Sequence, residues 1–159
     1  MRSSRHWERR EAVTHPTGLV LPKFFLYYDS PVKLVRTEDG GMACWRLSLD
    51  TGRWQAADNL VNRVLFGRDD EIFEISPEEF VWYVEQERGL SLCGEGPIFA
   101  LYETVRAIED TLQEERRYPT PQEQALIRGV RRRTFVMFEE QLQQAGDPAA
   151  DPTIASAAS

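Results

Sequence analysis

Two four-residue stretches constrain this chain most: Ser76-Pro77-Glu78-Glu79 and Thr120-Pro121-Gln122-Glu123. Each is a helix N-terminus written three ways. A hydroxyl stands at the cap, proline at the first helical position, and a glutamate closes the capping box. The chain from Ser76 onward is therefore helical. The first helix is expected to end near Gly89, and the glycines at 89, 94 and 96 mark a loop. The next helix places Ile98, Leu101, Tyr102, Val105, Ile108 and Leu112 at steps of three and four and stops before Pro119. The last runs from Pro121 to near Gly146, which supplies a C-terminal cap. The short connection between these two makes them an antiparallel hairpin.

Upstream the period is two. Phe24 to Tyr28 is rich in aromatics, and Asp29-Ser30-Pro31 reads as a turn. Val32 to Thr37 reads as a strand, followed by Glu38-Asp39-Gly40-Gly41, whose Asp-Gly pair suits a hairpin. Trp45, Leu47 and Leu49 alternate with Cys44, Arg46 and Ser48 before the turn Asp50-Thr51-Gly52. An antiparallel meander with one packed face over residues 19–56 is the expectation. Asp58 is then expected to cap a short helix through Leu60, Val61, Val64 and Leu65 that Gly67 ends, with a short strand from Glu71 to Ile75. The fold class is α+β: a meander, then helices, ending in a helical hairpin. One domain spans 18–146, with sheet plus helix over 18–89 and the hairpin over 97–146. Residues 1–17 form a flexible basic arm of net +2, and 147–159, made of Ala, Ser, Pro and Asp with one Ile154, form a disordered tail.

With 19 basic against 26 acidic residues the net charge is −7, which argues against phosphate-backbone binding, and nucleic acid is not the expected partner. Only Lys23 and Lys33 are lysines; the other 17 basic residues are arginines, as a GC-rich coding sequence would give. Cys44 and Cys93 are expected as reduced thiols, and residues 1–10 lack the apolar stretch of a secretory signal. Leu19 to Tyr28 is too short to span a bilayer. A cytoplasmic protein without a membrane segment is the expectation.

His6 and His15 fit no metal-ligand spacing, and no cofactor or metal is expected. No histidine lies in the folded part to serve Ser, Thr or Cys as a base; Cys93 reads as an unreactive small residue despite preceding a helix. In the run Arg131-Arg132-Arg133, helical phase puts Arg131 inside the apolar stripe of Ile127 and Phe138 and the other two on its outer sides. Glu109 falls inside the facing stripe, so Glu109 is expected to pair with Arg131 or Arg128 across the hairpin. Asp69, Asp70, Glu71 and Glu74, followed by Glu78 and Glu79, leave residues 68–79 at −5 with Arg68 as the only counter-charge. Trp82 points away from the stripe of Phe80, Val81, Tyr83 and Val84, either to a partner or under the hairpin.

Two functions follow. In the first, the chain is a non-catalytic, regulatory or interaction module. Asp69, Asp70, Glu71, Glu74 and Trp82 would contact a protein with a basic surface. In the second, it is a small enzyme working through Asp69, Asp70, Glu74 or Glu109, with or without a divalent metal. Carboxylates converging in a cleft would favour the second.

Overall fold

Four strands follow one another along the chain: β1 (Lys23–Tyr27), β2 (Ser30–Arg36), β3 (Met42–Leu47) and β4 (Trp54–Ala56). The computed structural model that defines them describes residues 19–67 and 71–158. The arm 1–17, with both histidines, and Asp69 and Asp70 lie outside the described residues. A fifth strand, β5 (Ile72–Ile75), adds antiparallel to the free edge of β1, giving the order β4-β3-β2-β1-β5. The fold is α+β.

The first hairpin turns one residue earlier than the sequence implies. Tyr28 and Asp29 form it, at φ 48° and 64°, and Ser30 and Pro31 already belong to β2. Two residues at positive φ match the right-handed twist of the flanking strands. At the second hairpin Gly40 takes φ 86°, as the Asp-Gly pair predicts.

The sheet is covered on both faces, where one was expected. The registers align Phe24, Lys33 and Trp45 on one side and Phe25, Val32, Leu34 and Cys44 on the other. The second set packs under Ala57, Leu60 and Val64, from the 3-10 turn Asp58–Leu60 and helix α1 (Val61–Phe66). Cys44, read among polar neighbours, is fully buried there as a small hydrophobe. Asp58 is not a helix cap. Its Oδ1 accepts the Cys44 amide at 3.0 Å and ties the turn to β3.

Both capping boxes form: Ser76 and Glu79 start α2 (Pro77–Ser91), and Thr120 and Glu123 start α4 (Pro121–Gln144). Helix α2 runs through Gly89 and ends when Leu92 becomes extended, its N–H still reaching Arg88 O. Helix α3 (Pro97–Glu114) and α4 form the expected hairpin, closed by Arg117 on both Glu123 oxygens at 2.7 and 3.0 Å. Gly146, at φ 86°, ends α4, and Asp147 N–H donates back to Leu142 O.

The chain does not then go slack. Contrary to the composition-based expectation, Ala149, Ala150, Ile154, Ala155 and Ala158 are buried in the core that joins the sheet to α2 and α4, and residues 154–157 form a short helix, α5 (Ile154–Ala157). Alanines carry little apolar area each, but their size lets this backbone strap lie close against the helices, where buried side chains bond to it.

Candidate functional site

The helix-facing side of the sheet carries a feature that pattern reading passed over: four charged side chains in the core. Lys33 comes from β2, Glu85 and Arg88 from α2 at helical spacing i, i+3, and Glu139 from α4; each is at most 1% exposed. Their formal charges cancel. Arg88 sits at the centre. Its Nη1 donates to Glu85 Oε2 at 2.9 Å, its Nη2 to Glu139 Oε2 at 2.6 Å, and Nε and Nη2 both donate to Gly52 O at 3.1 and 2.9 Å. Its guanidinium also lies 4.1 Å from the Phe138 ring centroid.

Gly52 makes this possible. It holds φ 72° in the β3–β4 turn, and a Cβ there would stand 2.7 Å from both Leu92 Cδ1 and Phe138 Cζ. Only glycine combines that backbone with that approach.

The acids are saturated. Glu139 Oε1 accepts the Trp54 indole N–H at 3.0 Å and the Asp151 amide at 3.0 Å. Glu85 Oε1 accepts the Tyr102 hydroxyl at 3.0 Å. Lys33 Nζ lies 4.4 Å from the Trp54 ring centroid and donates to Ala149 O. The C-terminal strap thus satisfies one base and one acid of the cluster. Burial raises the Glu85 carboxyl against the pull of Arg88. Burial also works to lower Arg88, but Glu85 and Glu139 outweigh it and hold the guanidinium above its ordinary value.

Lys33 is pushed down from 10.5 to about 8 by burial, with Glu139 and Asp151 opposing. The sign of the consequence is fixed by linkage. Below about 8 folded and unfolded chains both carry the proton, and the cost of burying the charge is fully present. Between about 8 and 10.5 the unfolded chain binds more protons, so stability rises with pH. Relative to Lys33→Met, the wild-type chain is expected to gain about 3 kcal/mol between pH 7.5 and 10.5, measured by urea unfolding at several pH values. A flat difference would contradict the buried ammonium. The Cys44 thiol, raised by burial to about 11, works in the opposite direction but is common to both chains.

Beside the cluster, α2, α3 and α4 enclose a cleft of about 180 Å³. Arg131 lines it at 5% exposure and bonds Glu109 Oε2 through Nη2 at 3.4 Å. Glu109 does face α4 across the cleft, but it is not buried as an inner-face position would be: its side chain is 49% exposed. A pair with one wet partner contributes under about 1 kcal/mol. Arg128 does not join it, and instead pairs with Glu78 at 2.8 Å. Arg132 donates to Ala158 O at 3.1 Å and Arg133 is exposed, so the arginine run presents no common basic face.

The other sequence-derived residues are spread out. Glu71 is exposed just before β5, and Glu74 pairs with Lys23 at 3.1 Å. Trp82 is half-buried, its ring 4.0 Å under the Arg131 guanidinium, so the hairpin covers it in part. Its other neighbours form a surface groove of about 170 Å³ with Glu78, Glu79, Tyr83, Gln124 and Arg128. Cys93 is exposed in the loop before α3.

The missed residues had a signal. Glu85 and Arg88 share the helical phase of Val81 and Val84, Glu139 that of Phe135 and Leu142, and Lys33 alternates out of step with Val32 and Leu34. Among the described residues, no group of three His, Cys, Asp or Glu side chains is placed to hold a metal ion, and no helix is long and apolar enough to cross a membrane. No protein-family model, curated protein or solved structure matches this chain.

Proposed function

We propose that this chain is a non-catalytic binding module that takes a basic segment of a partner protein on an acidic and aromatic surface. The supporting observation is the groove at the start of α2. There Trp82 and Tyr83, both half-buried, lie beside Glu78 and Glu79. Arg128 already reaches Glu78 across it, with both side chains near half exposure, and shows the chemistry an incoming arginine would use. Glu74 continues the acidic surface along β5, a sheet edge with one neighbour, where Phe73 is 54% exposed. Asp69, Asp70 and Glu71 extend the same charge in the sequence.

Carboxylate catalysis has less support. The two acids that converge, Glu85 and Glu139, have side chains with no solvent exposure and all four oxygens occupied.

The test is fluorescence anisotropy with a short arginine-rich peptide over a salt series. Glu78→Gln with Tyr83→Ala is expected to weaken binding at least about tenfold, through the loss of one charged and one aromatic contact, with the melting temperature unchanged. Neutralising residues 69–71 to Asn, Asn and Gln is expected to slow association at low salt. Equal binding by the wild type and both variants would reject the proposal.

A further inference from the structure

We propose that the cleft between α2, α3 and α4 binds a small organic monocarboxylate, whose carboxylate takes the place of Glu109 on Arg131. The starting point is an imbalance. Arg131 is 5% exposed, and its Nη1 is buried with no hydrogen-bond partner among the described residues. A buried donor left unmet is costly, and more so when charged. Its one ionic contact among the described residues, Nη2 to Glu109 Oε2, is 3.4 Å long. Charge-assisted bonds of this type close to about 2.7–2.9 Å, and guanidinium groups favour carboxylates that meet two nitrogens at once. Glu109 therefore meets half of what the group can hold. Burial, only partly offset by Glu109, lowers the Arg131 guanidinium below its ordinary value.

The surroundings define the ligand. Trp82 covers one face of the guanidinium at 4.0 Å, leaving recognition to its edge. Tyr102, Val105 and Leu90 supply apolar wall. Arg106 lines the same cleft, held by its bond to Gly89 O at 2.6 Å, and adds positive potential. Glu85 lies beneath but is sealed by Arg88 and Tyr102. A phosphate dianion would face both Glu85 and Glu109, so a single negative charge fits better. The volume, about 180 Å³, lies below that of drug-sized sites and limits the apolar body to a short branched or single-ring group. Glu109, half exposed, is the group that turns to water when the ligand's carboxylate takes its place on Arg131.

This gives a test that a plain structural ion pair would not pass. Isovalerate and benzoate, each with its uncharged amide as control, are titrated calorimetrically into the full chain. Each acid is expected to bind at roughly millimolar concentration and at least tenfold more tightly than its amide. Glu109→Gln removes the competing carboxylate while keeping its shape, and is expected to tighten binding several-fold. Arg131→Lys is expected to abolish it, with circular dichroism confirming the fold. If that variant does not fold, the Glu109→Gln comparison decides alone. No binding by either acid to wild type and Glu109→Gln overturns the proposal. Equal affinity for acid and amide, or no gain in Glu109→Gln, overturns it as well.

Discussion

Replacing Arg88 with methionine is expected to cost about 3–5 kcal/mol, the effect of removing one partner from a buried ionic group. The side chain bridges Glu85 and Glu139, and both would be left charged in a region without solvent. Gly52 O would also lose both of its Arg88 donors. Domains of this kind hold only about 5–15 kcal/mol in total, so the variant would sit near the edge of folding. Methionine keeps much of the apolar stem, which isolates the charge from the packing. At about 2–4 °C per kcal/mol for a chain of this length, the melting temperature should fall by roughly 6–20 °C. The deficit should shrink as pH falls. With Arg88 gone, the raising of the Glu85 carboxyl by burial loses its main opposing charge, the folded state takes up a proton there in preference, and a neutral acid is cheaper to bury. Urea unfolding at pH 7 and pH 5 checks both statements. A loss below 1 kcal/mol at pH 7 would show that the acids find other partners.

Truncation after Gly146 is expected to have the second-largest effect, a loss of at least about 3 kcal/mol. Three charged side chains each give up a buried or part-buried bond worth about 1–3 kcal/mol: Lys33 loses Ala149 O, Glu139 loses the Asp151 amide, and Arg132 loses Ala158 O. Ile154, at 4% exposure, leaves the core with four alanines. The ordering entropy recovered by the released strap offsets part of this, which is why the figure is well below the sum of contacts. Ile154→Asp in the full chain separates the packing contribution and should itself lower the melting point. An unchanged melting temperature after truncation would show the strap to be dispensable, as its composition alone implies.

The two experiments bracket one arrangement. Arg88 joins α2 to α4 and to the β3–β4 turn, while the strap closes over Lys33 and Glu139 from the other end. That arrangement also frames the two sites proposed above. Arg131 separates them, with Trp82 stacked on it toward the groove and the cleft on its other side.

Local chemistry was readable from the residues. A capping box spans four positions and needs nothing from the rest of the chain, so Ser76 and Thr120 announce α2 and α4 unaided. Period-two alternation in β3 and helical steps in α3 are equally local. Arg131 could be placed on an inner face by phase alone. What phase does not state is what lies opposite. It put Glu109 inside as well; Tyr102, Val105 and Leu112, which share its phase, are buried, yet the cleft opens in front of Glu109 and leaves its side chain 49% exposed. Lys33, Glu85, Arg88 and Glu139 carried the same inward phase, but their partners lie up to 116 residues away, and only packing brings them together. The tail shows the limit most clearly. Its few apolar atoms cannot pay for order in isolation, and composition measures a segment in isolation. The buried donors and acceptors waiting for its backbone belong to β2 and α4, so its order was decided by the tertiary structure rather than by its own residues.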